Sequence, residues 1–478
     1  MTAVADRIRA LPQRYGKTTL ILLAAIVAVG LGARAYVVVN PASEPSDDSR
    51  AYYALAKALY EEGSFGGPEF RDSSDWSPGA PLLYAAGFYA SGGAREGTAR
   101  IVEALMGAAA IFVVVALGRR LGEAAGGRTR RAGSTVGLLA AFAVAVYPPF
   151  IHSTGELMSE PPALLTLPAA VLAFLWACEQ ERLRAWLLPG LLFGLTAMLR
   201  PEYLFVAIAF VALAGIRASR PSVFVLSSPV GEKGRTPAHG TWRAGAGAAA
   251  LFAAALMLPI LPWTIRNVEV LDRVVPISTG SGKALYVGTY LPSDGEYQKV
   301  KAILVERYEG RRLDPHGEAL EEIDPTPLFD RVAARYPDLP RDSALGKIGK
   351  ENFSKFVEED PLGYAGMTAR KVGRMWGSGV GEAMSSSVGR ALQILIVGLG
   401  LAGFVLLGIR RRWWEILALA TPIALVTAIG ALSLAAPRRN EVLMTLVFPL
   451  AALTLSWLAA RLSSGREWSP GQESSPPS

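Results

Sequence analysis

Cysteine is almost absent from this chain. Cys178 is the only one among 478 residues, so an intramolecular disulfide and a multi-cysteine metal site are both excluded. Histidine is nearly as scarce. His152, His239 and His316 are scattered, and no His/Glu spacing suited to a metal appears. No phosphate loop of the nucleotide-binding kind is present. Gly280-Ser281-Gly282-Lys283 is a fragment of one at most and reads as a Gly/Ser turn. Short internal repeats are missing, as are the paired broken helices of secondary transporters. Charged residues make up only 19% of the chain. Their excess of +7 fits basic loops beside a membrane better than a nucleic-acid surface. Nothing in the sequence requires a cofactor or a metal ion.

Apolar residues dominate instead: 51% of the chain, with a mean hydropathy of +0.30. They are blocked into runs, and a run of about 20 residues spans a bilayer as a helix. The sequence therefore reads as an all-α polytopic membrane protein. About ten spans are expected, at 18–39, 100–117, 133–149, 160–178, 184–199, 201–217, 244–264, 388–408, 413–435 and 441–461. The first is too long for a signal-peptide core and reads as an uncleaved span. Lys and Arg orient the set. Arg7, Arg9, Arg14 and Lys17 precede it. Arg119, Arg120, Arg128, Arg130, Arg131, Arg182, Arg184, Arg217, Arg220, Lys233, Arg235, Arg243 and Arg410–Arg412 fall in alternate loops. One arrangement satisfies them all: both termini inside, with 81–90 as a short helix at the outer surface. A bacterial plasma membrane fits the scarcity of cysteine and the lack of organelle signals.

The chain then divides into a transmembrane module 1–264 with a first external loop 40–99, an external segment 265–387, terminal spans 388–462, and a Ser/Pro/Gly-rich tail 463–478 expected to be disordered. In the external segment, 344–357 and 362–376 have helical apolar spacing. They read as an amphipathic pair at the surface or against anionic lipid.

Charges at membrane depth cost ~2.5–3.5 kcal/mol each and need a reason. Arg34, Glu103, Glu160, Arg200, Glu202, Arg266, Arg438 and Arg439 stand within or beside apolar runs, and all fall on the outer side of this topology. Four of them are arginines in outer loops, against the positive-inside tendency. Snorkelling explains one isolated arginine. Several converging on one face suit an anion site, because guanidinium grips phosphate through parallel N–H bonds. The same face carries Asp47 and Asp48, about eight residues past the first span. Asp48 alternatively reads as the N-cap of a helix over 49–60, whose stripe Tyr52, Leu55, Ala56 and Leu59 is packing.

These residues resemble those of GT-C type glycosyltransferases. The likeness is to bacterial members similar to the dolichyl-phosphate-mannose–protein mannosyltransferases of glycosyltransferase family 39, and to aminoarabinose transferases. It runs through Arg34, Asp48, Tyr52, Ala56 and Leu59, then Ser77-Pro78-Gly79-Ala80-Pro81-Leu82-Leu83-Tyr84, Gly118–Leu121 and Ser159-Glu160-Pro161. It continues through Gly190–Pro201, Arg266-Asn267, Val275–Thr279, Asp360-Pro361, Lys371 and Trp376. It implies a GT-C helical bundle and an inverting transfer on the outer face. The donor would be a polyprenyl-phosphate sugar; the acceptor would be a protein, lipid or glycan hydroxyl. Either Asp48 or Asp47 is then the base, with Glu160 orienting the acceptor or the sugar. Arg200, Arg266, Arg438 and Arg439 hold the donor phosphate, and Arg34, Tyr52, His152, Glu202 and Asn267 are candidate substrate contacts. A lipid-linked-sugar flippase and a surface-glycan polymerase or ligase are the competing readings. The flippase would need the arginines but no base.

Overall fold

The computed structural model describes residues 16–41, 46–66, 75–125, 130–219 and 241–464, and among them there are helices but no strands. The expected disordered tail lies almost wholly outside the described residues. So do Arg7, Arg9, Arg14, Arg128, Arg220, Lys233, Arg235 and His239.

Each expected span is a helix. α1 (Lys17–Val39) leads to two short helices, α2 (Asp47–Glu61) and α3 (Gly79–Ser91). Next come α4 (Glu96–Ala124) and α5 (Arg130–Val146), with α6 (Pro148–Gly155) bent from it by 44°. Pro148 and Pro149 explain the break, since proline supplies no N–H to the preceding turn. Then follow α7 (Glu160–Ala177), α8 (Leu187–Leu199) after a 3-10 turn (Leu183–Trp186), α9 (Tyr203–Ser219) and α10 (Trp242–Leu271). Among the described residues seven helices are long and apolar enough to cross a membrane, or eight with the α5–α6 pair; 183–199 and 203–219 are shorter apolar helices. This is an all-α, multi-pass membrane protein. Its spans run as a bundle around one apolar core.

Glycine lets neighbouring spans approach closely. Gly118 and Gly122 of α4 lie on the backbone of Gly137 and Gly133 of α5. Two of the charges buried in the spans, Arg34 and Glu103, are met wholly or partly by backbone. Arg34 is fully buried and donates to Gly30 O (3.1 Å), Ala145 O (3.4 Å) and Val144 O (3.3 Å). It therefore fastens α1 to α5 and is not a substrate contact, because its donors point into helix packing. Glu103, equally buried, accepts from Met158 N at 2.6 Å and from the Tyr84 hydroxyl. It ties α3 to the turn before α7.

Between α10 and the last three spans lies a small helical domain. Its elements are α11 (Ser281–Thr289), α12 (Tyr297–Glu309), α13 (Thr326–Ala333), α14 (Arg341–Glu359) and α15 (Pro361–Gly377). Tyr286, Val300, Leu304, Phe329, Leu345 and Ile348 form a core separate from the bundle's. The expected Gly/Ser turn at 280–283 is instead the start of α11, with Gly280 at φ +92° as its N-cap. The remaining spans are α16 (Ser387–Ile409), α17 (Trp413–Leu432) and α18 (Arg438–Ser464).

The small domain is seated on the loop between α17 and α18. Lys371 of α15 is fully buried and donates to Gly288 O (2.7 Å) and Ala431 O (2.8 Å). Burial, then the nearby charges of Arg374 and Arg439, pull its amine down to about 8. Gly288 lies so close to Ser433 that a Cβ would enter that residue's carbonyl group. Asn440 donates to Ser378 O at 3.0 Å and to Met375 O. Overpacking this seat has a predictable consequence. Gly288→Leu should lower the unfolding free energy of detergent-solubilised protein by ~2 kcal/mol or more, read as a fall in melting temperature. Gly377→Ala, whose added methyl meets nothing within 4 Å, should leave it unchanged. Equal melting of the two variants would refute the seat.

Candidate active site

Asp48, Glu160, Arg200 and Arg438 come from four places in the chain and meet at one end of the bundle. Each is delivered by a local rule. Ser46 caps α2, its side chain accepting from Ser49 N at 3.3 Å. The capping role expected of Asp48 is thus already filled, which leaves the Asp48 carboxylate to make tertiary contacts. Glu160 opens α7 with Pro161 behind it, a position favourable both to proline and to negative charge. The turn before it is strained: Leu157 is left-handed at φ 49° without being glycine. Arg200 precedes Pro201, which disfavours helix for it. It ends α8 in an extended conformation that throws its side chain sideways. Arg438 is the first residue of α18, directly after Pro437.

Arg438 joins the group. Its Nε and Nη2 fork onto the two oxygens of Glu160, Nη2 to Oε2 at 3.2 Å, while Nη1 donates to Asp48 Oδ2. Arg200 gives Nη1 to Glu160 Oε1 (2.6 Å) and Nε to Glu202 Oε1 (3.0 Å). Trp76 Nε1 donates to the other Asp48 oxygen, Oδ1, at 3.1 Å. The two carboxylates differ in solvent contact. The Glu160 side chain is 1% exposed and that of Asp48 is 40%. Burial alone would push Asp48 up. Arg438, by charge and hydrogen bond, and Trp76 outweigh it and hold the carboxyl below its usual range. Tyr52, one turn on and facing the same way, is held protonated by burial and then by the Asp48 charge.

Of the residues expected at the site, Asp48, Glu160, Arg200, Glu202, Arg438 and Tyr52 are brought together. Glu160 differs from expectation in role. With its two oxygens taken by arginines and almost no exposure, it holds the arginines rather than an acceptor or a sugar. Arg439 sits beside Arg438, its Nη1 buried without a hydrogen-bond partner. Asp47 lies in the first turn of α2, but its side chain is outside the described residues. Arg266 does not join the cluster. It donates to Phe65 O (2.6 Å) and stacks over the Phe65 and Trp263 rings, so it braces the first loop. Asn267 is fully buried and clamps Val275 O and Ile277 O, again a structural use. His152 is exposed and lies against Gly381. Sequence reasoning missed Trp76, whose only signal was a tryptophan in an otherwise polar Asp75-Trp76-Ser77-Pro78 stretch. Ser77, the first residue of the motif at 77–84, donates to Leu199 O at 2.6 Å beside Arg200. Among the described residues, no three His, Cys, Asp or Glu side chains gather as a metal site.

Residues 75–231, about a third of the chain, match the family model described as dolichyl-phosphate-mannose-protein mannosyltransferase. Over that stretch the chain is similar to glycosyltransferases of the GT-C type. Glu160, Arg200, Glu202 and Trp76 lie within it; Asp48 and Arg438 lie outside. Among solved structures, the archaeal oligosaccharyltransferase AglB from Archaeoglobus fulgidus, in complex with an inhibitory peptide and a dolichol-phosphate, overlays at TM-score 0.47 and 14% identity, covering 95% of this chain and 52% of that one. ArnT from Cupriavidus metallidurans bound to undecaprenyl phosphate overlays at TM-score 0.38 and 15% identity, covering 95% and 81%. The chain spans about half the length of the AglB structures it matches. No curated protein matches it.

The exposure difference separates the two pairs in what breaking them costs. Breaking a buried pair costs ~3–5 kcal/mol, because a buried charge is left behind, whereas half-exposed pairs contribute about 0–1 kcal/mol. Glu160→Ala should therefore destabilise the protein by ~3–5 kcal/mol, and Asp48→Asn by under about 1 kcal/mol, measured by unfolding in the same detergent. Equal losses would contradict this division.

Proposed function

We propose that the chain is a membrane glycosyltransferase that moves a sugar from a polyprenyl-phosphate donor to an acceptor hydroxyl. The reaction takes place on the outer face of a bacterial plasma membrane and both termini are inside. The observation that carries the reading is the shared guanidinium of Arg438, gripping a buried carboxylate on one side and a half-exposed one on the other. The family likeness of 75–231 supports the donor class.

Arg438 and Arg200 are the groups offered to the donor phosphate. An arriving phosphate competes with the carboxylates for Arg438. Glu160 cannot yield without stranding a buried charge, but Asp48 has water to turn to. Asp48 therefore gives way. Freed of Arg438, it regains basicity and accepts the acceptor's proton as that oxygen attacks the anomeric carbon. The bond from the anomeric carbon to the phosphate oxygen breaks on the opposite face, which inverts the centre. The electron pair leaves with the phosphate, whose growing charge the arginines meet. Asp47 is the alternative base, and Arg439 a further phosphate contact.

In lipid, with radiolabelled polyprenyl-phosphate mannose and a panel of other sugars and acceptors, the native protein should release sugar from the lipid. Asp48→Asn should lower that rate by ~10²–10⁴-fold, the range of general-base catalysis. Donor binding without cleavage across the panel would favour a flippase; full activity in both Asp48→Asn and Asp47→Asn would remove the base. Orientation has its own test. In a Cys178→Ala background, Asp338→Cys should react with a membrane-impermeant maleimide added to intact cells, and Glu181→Cys should not. The reverse pattern would invert the topology.

A further inference from the structure

We propose that Asp75 is a positioning residue through which the small domain sets the orientation of the Asp48 carboxylate. This rests on the reading of Asp48 as the base. Three consecutive side chains each bond a different part of the molecule. Asp75 takes the Arg341 guanidinium at the head of α14 (Nη2 to Oδ2, 2.5 Å) and the Thr279 hydroxyl. Trp76 donates to Asp48 (3.1 Å), and Ser77 to Leu199 O (2.6 Å). Thr279 is itself anchored, since Trp263 and Asn267 of α10 hold Ile277 O two residues earlier. The segment 75–77 is thus a bridge with feet on the small domain, the base and the helix that ends in Arg200.

The bridge matters because Asp48 has two holders of different kinds. Arg438 is the one a donor phosphate draws away. Trp76 is neutral and stays, so it alone fixes the carboxylate while the acceptor hydroxyl attacks. An indole at the end of a short loop segment keeps its direction only if its neighbours are tied, and Asp75 and Ser77 tie them on either side. Small-domain position, through Arg341, therefore reaches the base without touching substrate.

The test uses Asp75→Asn and Arg341→Gln, two sites exposed enough to change without unfolding the protein, together with their double variant and Arg341→Lys. In the lipid assay, each single variant should lose kcat about tenfold, well within what a small misplacement of a reacting group costs, with donor KM unchanged. The double variant should lose no more than either alone, and Arg341→Lys should keep most of the rate. The acid limb of the kcat–pH profile should move to higher pH. Asp48 is faced by Arg438 of α18, by Glu160 of α7 and by Tyr52 of its own helix, all unaltered, so a loosened Trp76 donor raises its proton affinity. Unchanged kcat, additive losses, or a KM effect alone would overturn the proposal. Hydrogen exchange reads the bridge without depending on activity. In Arg341→Gln, amides of 46–53 and 75–80 should exchange several-fold faster, with 281–289 unchanged. Should the parent cleave no donor at all, the transferase reading falls and this measurement decides the bridge alone: faster exchange upholds it, unchanged exchange overturns it.

Discussion

A carboxylate almost without water, Glu160, sets the terms for the rest of this end of the molecule. It stands at the start of an apolar helix, where an unpaired charge would be costly. Arg438 and Arg200 make it tolerable, and they arrive from α18 and the α8–α9 turn. Three helix ends far apart in sequence are thereby held at one level. Asp48 and Glu202 then find their places as the outer partners of the same two arginines. The group closes electrically: Asp48, Glu160 and Glu202 face Arg200 and Arg438, with Arg439 adjoining.

That balance suits the proposed chemistry. A phosphodiester donor adds one negative charge to the group. Transfer turns the diester into a monoester, adding another, while Asp48 takes up a proton and loses one. Total charge in the site is therefore constant along the reaction, and only its location shifts, from the base toward the phosphate. Fixed arginines between the two ends of that shift suit it, since they need not reorganise while it happens. The opposite end of the bundle has ionic contacts of its own, Arg120 with Glu179 (2.7 Å) and Arg412 with Glu415 (2.6 Å). Arg120 also approaches the buried Glu415, but only to 3.9 Å, too far for the hydrogen bonds with which Arg438 holds both of its carboxylates.

The bundle was legible because apolar runs carry their own length, and the outlying charges marked the end where Asp48, Glu160, Arg200 and Arg438 meet. Partners were not legible. Arg266 and Arg200 have equal standing as outer arginines in sequence, yet Arg266 lies over Phe65 and Trp263. Only the approach of the first loop, 201 residues away in chain, makes that difference. Arg34 misled for a related reason: a buried cation can be met by backbone carbonyls, which no side-chain pattern announces. The small domain was legible only in part: α14 and α15 show in the apolar spacing of 344–357 and 362–376, whereas α11, α12 and α13 are short and carry few apolar residues each. Asp47 and Asp48 stayed alternatives in sequence; the structure sets the Asp48 carboxylate between Arg438 and Trp76.

On the proposed reading, the resting pairing of Asp48 with Arg438 keeps the base idle until a donor phosphate arrives. A base held below its ordinary range is a poor one, and water would otherwise be the nearest hydroxyl to activate. Release of Asp48 requires something to occupy Arg438, and full alignment requires the small domain to hold Trp76 still through Arg341 and Asp75. Catalytic competence then depends on two separate holds on Asp48, an ion pair that the donor relieves and a bridge of three residues that is already in place. On that reading the ties of residues 75–77 fix the direction of attack once the donor has freed the base.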